Sequence, residues 1–244
     1  MKKILILLSL LAFMFPLNSC DENGNLILPG LSETEIIDGL KSALRVGADS
    51  SVTRLNKVNG FFGDQAIKIL LPPEANEAVS FVNSFGGAPL LNELILKLNR
   101  GAEQAAVEAK PIFVNAIVGM NFSEARNILF AKDAAGNKVD SAATNYLRRN
   151  TTDSLYMRFR PKINSALSNV GADVAWSQFF TLWNNYAPLV GGQRVNPDLS
   201  DYATRRALSG LFVKIRDKEK DIRENPAERV NDILKKVFGE LDKP

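Results

Sequence analysis

Apolar residues recur every three or four positions along most of this chain, a spacing that predicts amphipathic helices. The first stripe runs over residues 36–55 and follows Ser32 and Glu35, which have the spacing of a capping box. A longer stripe covers residues 90–109, where Gly101 interrupts a run of good helix formers. Glycine inside a helix costs about 1 kcal/mol relative to alanine, so we expect another helix to approach closely there.

Turn and capping residues divide the second half of the chain into further helices. Residues 132–139 predict a loop, and Asp140 begins a helix that we expect to end at Arg149. Thr151-Thr152-Asp153 predicts the cap of the next helix. Pro161 lies inside the pattern of that helix and predicts a kink or a break, because proline has no backbone N–H.

The late segments have strong helix signals. A long helix begins at Asp198 or Ser200, and Asn225-Pro226-Ala227-Glu228 predicts the start of the last helix. An aromatic-rich helix precedes them, with large rings on one face: Trp176, Phe179, Phe180 and Trp183. Aromatic residues at helical spacing are most often core, although such a stripe can also line a ligand pocket.

These segments together predict the fold class. Only residues 61–71 alternate in a way that allows a short extended piece, and most connections are as short as those between packed helices. The sequence therefore predicts an all-α protein, a compact single-domain array of about ten helices over residues 32–240 with no significant sheet.

The N-terminus follows a different pattern. Lys2 and Lys3 precede an apolar run over residues 4–15, in which Ser9 is the one polar residue. Such a run is typical of a secretory signal and is shorter than the about 20 residues of a membrane span. The run is followed by Leu17-Asn18-Ser19-Cys20, which resembles the bacterial lipobox, where the signal is cut and the cysteine is acylated. An ordinary signal peptide cut near a chance cysteine is the alternative.

This motif predicts where the protein resides. Residues 1–19 are the predicted lipoprotein signal peptide, Cys20 is the predicted lipidation site, and residues 20–31 are an acidic tether. Two or more acyl chains hold a protein firmly to a bilayer. We therefore expect a lipid-anchored protein of the bacterial cell envelope, on the periplasmic face or the cell surface, with the membrane as a partner through the lipid on Cys20.

Charge and composition exclude several classes of function. Without Lys2 and Lys3 the 30 basic residues become 28 against 27 acidic ones, a net charge of +1 that lacks the basic footprint of a nucleic-acid binder. The chain has no histidine, and Cys20 is its single cysteine. Ser-His-Asp and Cys-His catalysis and the usual zinc sites are therefore excluded, and we predict neither a metal site nor a cofactor.

A histidine-free enzyme would have to use carboxylates, lysine, tyrosine, serine or threonine, or arginine, and glycosidases are an example that uses two carboxylates. Glu93, Glu103, Glu108 and Glu124 lie on predicted helices, and Glu93 and Glu103 are about three turns apart. Solvated helix faces explain the same residues, because spacing on one helix says nothing about a facing partner. A hydrolase or lyase that acts on envelope glycan through paired carboxylates is the alternative hypothesis.

For a binding function, arginine and aromatic positions are the candidates. Guanidinium groups bind phosphate or carboxylate bidentately, whereas the simpler interpretation is ion pairing with neighbours such as Asp153 or Asp201. We predict that a ligand or anion site, if the domain has one, lies among these side chains: Tyr146, Arg148, Arg149, Arg160, Trp176 and Trp183.

Several stretches carry the residues of one family: 39–44 with Gly47, 102–113, 116–120, 142–149, 159–161, 207–212, 219–229 and 234–239. These stretches resemble an uncharacterised bacterial family catalogued as domain of unknown function 4197. The resemblance covers about residues 31–239 and departs at the loop of residues 132–139, which looks longer, and at Gly101, where alanine is expected. It implies one exported helical domain and transfers no catalytic residue.

The leading hypothesis is a lipid-anchored, non-enzymatic helical module that binds a partner protein, an envelope glycan or a small amphiphile. It follows from a well-patterned amphipathic fold without a nucleophile and base pair. A purely structural lipoprotein of the envelope is a third possibility.

Overall fold

The computed structural model describes residues 30–84, 86–189 and 191–242. Within these ranges the chain forms nine α-helices and no strand, so the prediction of an all-α helical array is confirmed. The predicted signal peptide, Cys20 and most of the predicted tether lie outside the described residues.

The helices are joined by short turns and by longer irregular segments after α1, α5 and α7. In chain order they are α1 (Glu33–Leu55), α2 (Asn76–Ser84), α3 (Ala88–Ala106), α4 (Ala109–Val118), α5 (Phe122–Leu129), α6 (Ala142–Ser168), α7 (Ala172–Tyr186), α8 (Leu199–Glu224) and α9 (Asp232–Leu241). Three 3₁₀ turns lie at Pro73–Ala75, Ala187–Leu189 and Pro226–Glu228.

The two longest helices, α6 and α8, lie at the centre of the packing. α6 packs against α3 and α8, while α1 packs against α8, α9, α4 and α5. The largest fully buried side chains are Phe61, Phe113, Phe159, Phe212 and Phe238. Burial of such rings is the main favourable term in folding, since each removes a large apolar area from water.

The prediction of two helices between residues 140 and 168 is wrong, because α6 is continuous over 27 residues. The Thr151 and Thr152 hydroxyls do not cap a new helix but donate to the carbonyls one turn back, those of Leu147 and Arg148. Pro161 also does not end the helix. It lies on the exposed side of α6, where the carbonyl that loses its partner is that of an exposed residue.

The last helix begins later than the sequence predicts. Asn225 caps the 3₁₀ turn Pro226–Glu228, and the chain then extends to Asn231, whose side chain accepts from the amide of Leu234 at the start of α9. Both asparagine side chains accept a backbone amide as helix caps do. The capping motif predicted at Asn225 is therefore present, but it begins the 3₁₀ turn and not α9. The loop predicted at residues 132–139 is confirmed, with one isolated antiparallel bridge between Lys132 and Lys138.

Two buried polar residues on α3 hold the irregular segment between α1 and α2. Asn99 accepts from the amide of Ile69 at 2.8 Å and donates to its carbonyl at 2.8 Å, as a neighbouring strand would. Glu103 accepts from the amides of Phe61 and Phe62, both at 3.1 Å. The segment that looked extended is therefore ordered by side chains of a helix rather than by a sheet.

The close approach expected at Gly101 is confirmed. A Cβ placed there would lie 3.1 Å from the Cβ of Ala166 and 3.1 Å from the Cα of Ile163, both on α6. The missing side chain lets α3 and α6 pack with their backbones close together, which accounts for a glycine inside a helix.

One largely buried ion pair joins the ends of two helices to α8. Glu219 on α8 accepts from the amides of Ala143 and Thr144, the first residues of α6, at 3.0 and 2.7 Å. Arg223, one turn further, donates to Glu219 at 3.0 Å and to the carbonyls that end α5. The side chains of this pair are 10% and 8% exposed, so little water screens them.

A second arginine closes the C-terminal end of α8. Arg229 is 3% exposed and donates to the carbonyls of Ile222 and Arg223, which have no helical partner at that end. It also forms a bidentate pair with Asp242 at the end of α9. The hydrogen bond from Arg229 holds the pKa of Asp242 below its usual value.

We expect Glu219→Ala to lower the free energy of unfolding by about 3–5 kcal/mol, because it leaves Arg223 without its carboxylate and the first amides of α6 without their acceptor. Urea unfolding followed by circular dichroism measures the change, with Glu224→Ala as the control, since Glu224 lies on the same helix and is exposed. Equal midpoints for the two variants would show that the pair does not hold the helices together.

We expect Asp242→Asn to remove part of the acid sensitivity of folding. The pKa of Asp242 is lower in the folded chain, so its contribution to stability is complete above the unfolded pKa near 3.9 and is lost as the pH falls through the lowered value. The variant should be less stable than wild type at pH 7, and the difference should shrink below about pH 4. Asp232→Asn, at a fully exposed carboxylate, should show no such convergence.

Candidate functional site

An apolar groove of about 340 Å³ opens between α2, α3 and α7. Each helix contributes residues at helical spacing: Ala78, Val79 and Val82 from α2, Leu90, Leu91 and Leu94 from α3, and Ala175, Trp176, Phe179 and Phe180 from α7. Glu93 is the single charged residue among those that line it. A cavity of this size, walled by apolar and aromatic side chains with few polar groups, has the composition of a ligand site.

The groove is open to solvent along one side. Leu90 is 71% exposed and Phe179 is 42% exposed, whereas Trp176 and Phe180 are buried at the floor. The rings of Phe179 and Phe180 lie edge to face with their centroids 4.9 Å apart. A contiguous row of large apolar side chains exposed to solvent is typical of interaction surfaces.

The opposite flank of α7 is covered by the loop of residues 191–198. The indoles of Trp176 and Trp183 donate to the carbonyls of Asn196 and Gln193, at 3.1 and 2.9 Å. Asn184 both donates to and accepts from the backbone of Val195, which is buried. The loop therefore fixes one side of α7 and leaves the groove side uncovered.

The residues predicted as an anion or ligand site fall into two separate groups. Tyr146, Arg148 and Arg149 lie near the start of α6, about 17–21 Å along the helix from Arg160. Tyr146 is buried and donates to the carbonyl of Ala116, and burial followed by the charge of Glu124 raises its pKa. The Arg148 guanidinium lies 4.8 Å from the centre of the Phe212 ring, and Arg149 is exposed.

The second group lies beside the loop that covers α7. Arg160 pairs with Asp198 at 2.5 Å, and Trp176 and Trp183 donate to the same loop. Of the six predicted residues, Trp176 also lines the groove. The arginines and aromatics thus do not converge on a single pocket in the described structure.

A hydrogen-bonded cluster next to Arg160 joins α6 to α8. The Tyr156 hydroxyl donates to Asp201 at 2.5 Å, and this bond, with burial, raises the pKa of Tyr156. Burial alone would raise the pKa of Asp201, but hydrogen bonds from Arg205 and Tyr156 outweigh it and leave the pKa lowered. The ion pairing expected at Asp201 is therefore present, with Arg205 on the same helix, while the hydrogen bond from Tyr156 is the one that joins the two helices.

The carboxylates named for a histidine-free enzyme are mostly engaged in structure. Glu103 receives backbone amides and a hydrogen bond from Arg100, Glu124 forms a capping box with Asn121, and Glu108 pairs with Lys162. Glu93 lies apart from them on the rim of the groove.

Two further carboxylates share a polar cleft between α7 and the start of α8. One oxygen of Asp198 caps α8 through the amide of Asp201, and the other accepts from Arg160. Asp173 accepts from Ser168 at 2.5 Å, and its second oxygen is buried without a partner in the described part of the chain. Asp198 is therefore held in fixed bonds, which leaves no free acid and base pair across this cleft.

The described ranges bring no three His, Cys, Asp or Glu side chains together as a metal site would need. They also include no helix of the length and hydropathy that crossing a bilayer requires.

The described residues form an all-helical domain that carries an apolar groove. Residues 30–239 match the family described as "Protein of unknown function (DUF4197)", and the chain belongs to this family. The resemblance inferred from the sequence motifs is thereby confirmed. No curated protein and no solved structure gives a significant match to the chain.

Sequence reasoning missed most of the groove. It identified the aromatic stripe of α7 but not Val79, Val82, Leu90 or Leu94 as its neighbours. A signal was present, because the 20 residues from 174 to 193 contain no charged side chain. Surface helices normally carry charges on their outer face, so such a gap indicates a surface that is meant to be covered.

Proposed function

We propose that this protein is a lipid-anchored, non-enzymatic binding module of the bacterial cell envelope that holds a ligand with an apolar face in the groove between α2, α3 and α7. The observation that carries the proposal is the groove itself, with Leu90 and Phe179 exposed on its rim. Covering these side chains is favourable at about 25 cal/mol per Å² of apolar surface.

The N-terminal sequence supports the anchoring half of the proposal. Lys2 and Lys3, the apolar run and Leu17-Asn18-Ser19-Cys20 have the order of a lipoprotein signal. Acylation would also use the one thiol of the chain. α1 begins at Glu33, so about a dozen residues would separate the lipid from the helical domain, enough to reach about 40 Å when extended.

Binding is favoured over catalysis by the state of the polar groups. Glu103, Glu124 and Asp198 are committed to backbone amides and arginines. The groove offers apolar walls and a single carboxylate, which suits the recognition of an apolar surface and provides no second group for proton transfer.

Expression in a bacterium with a clickable palmitate analogue tests the anchor. Wild type should incorporate the label and sediment with membranes, and Cys20→Ala should do neither, because the thioether cannot form. Asn18→Ala is the control, since the second position of the motif is variable and its labelling should persist. Label retained by Cys20→Ala, or a wild-type precursor that keeps its leader in the cell interior, would contradict lipid anchoring.

Binding of the fluorescent probe N-phenyl-1-naphthylamine tests the groove. Wild type should enhance the emission of the probe. Ala175→Trp should bind the probe at least about tenfold more weakly, because the new ring fills the groove. Val174→Trp is the matched control: it adds the same ring at the neighbouring residue, which is exposed and does not line the groove. Equal binding by the two variants, each folded by circular dichroism, would refute this role of the groove.

A further inference from the structure

We propose that the occupant of the groove is an amphipathic α-helix of another polypeptide, one that carries a lysine or arginine beside its apolar face. This inference rests on the proposed function of the groove and adds the identity of its ligand class. Two features support it: the spacing of the uncovered apolar residues and the unpaired charge at the rim.

The uncovered flank of α7 has the spacing of a helix–helix seam. Its apolar residues follow one another at intervals of four and three: Ala175, Phe179, Leu182 and Tyr186, and Leu189 in the following 3₁₀ turn continues this spacing. Leu182 and Tyr186 are each 64% exposed, so this stripe continues beyond the groove along the helix surface. Such a row accepts the side chains of a second helix between its own, which an unbranched acyl chain would not require.

The walls of the groove have the same periodicity. α2 presents Val79 and Val82, and α3 presents Leu90, Leu91 and Leu94, so both sides offer ridges of residues three or four apart. Three helices thus converge on a space that apolar side chains from one face of a fourth helix would fill. Recognition of an apolar helix face by a groove between helices is a recurrent mode of peptide binding.

The rim of the groove carries an unpaired carboxylate, Glu93, which would pair with a cation of the ligand. Glu93 makes no ion pair with any residue that the structure describes. Residues 174–193, which include most of α7 and the segment after it, carry no charged side chain. Lys97, one turn along α3, does not line the groove. A ligand with lysine or arginine next to its apolar stripe would pair with Glu93 at the edge of a surface from which water is displaced.

The same carboxylate disfavours a second copy of this chain as the occupant. Pairing two grooves about a two-fold axis would place two unpaired Glu93 side chains in one interface. Like charges in an interface raise its free energy, and neither copy brings a cation on α7 to offset them.

Labelled synthetic peptides of about four turns test the proposal by fluorescence anisotropy and circular dichroism. The first peptide has leucines at helical spacing flanked by lysine, the second has the same composition in scrambled order, and the third replaces lysine with glutamate. We expect the first to bind best and to gain helix on binding. Ala175→Trp should weaken this binding about tenfold or more, while Val174→Trp should not.

Charge exchange provides the sharper test. Glu93→Lys should weaken binding of the lysine peptide by about tenfold, because the attractive pair with the peptide lysine becomes repulsive. It should strengthen binding of the glutamate peptide, because there the repulsive pair becomes attractive. Asp221→Lys, an equal charge change at an exposed residue on α8 outside the groove, should alter neither.

The alternatives give different results. Equal binding of the ordered and scrambled peptides, or no response to Glu93→Lys, would overturn the inference. Self-association of wild type that Ala175→Trp abolishes, measured by sedimentation without peptide, would identify a second copy as the occupant. If N-phenyl-1-naphthylamine binds in the groove and the lysine peptide does not, the helix inference fails while the proposed function stands, and if neither binds, both fail.

Discussion

The packing of this domain depends on one largely buried ion pair, Glu219 with Arg223. Glu219 satisfies the first amides of α6, and Arg223 satisfies the last carbonyls of α5, so two helix ends that would otherwise be buried without partners are joined to α8. Neither charge could remain buried alone, because desolvation of an unpaired ion costs several kcal/mol. The pair thus fixes the register between α8 and its neighbours.

Other polar residues that stand out in the sequence have comparable structural duties. Asn99 and Glu103 order the irregular segment after α1, and Gly101 between them allows the contact with α6. Arg229 completes the end of α8. Of these residues, Glu103 and Arg229 lie in the stretches that carry the family resemblance, as Glu219 and Arg223 do, so those stretches include residues that position helices.

The groove differs from the rest of the domain because its apolar side chains are not covered by other parts of the described chain. The apolar residues of α7 cover more of the helix surface than the rest of the domain buries. The loop of residues 191–198 covers one flank, and on the other flank Phe179 and Leu182 are exposed to solvent. A single unpaired carboxylate, Glu93, interrupts this apolar surface. An exposed surface of this kind gains most from a partner that brings both apolar area and a compensating charge.

The sequence by itself determined the helical class, the absence of histidine chemistry and the family, because helical periodicity and motif residues are local properties of the chain. It also predicted the close approach at Gly101. Only the tertiary structure decided that Thr151 and Pro161 lie inside one helix, that the arginines of α6 point to different neighbours, and that residues of α2, α3 and α7 meet in a groove. These outcomes depend on contacts between segments far apart in the chain, and local preference is too weak to specify them.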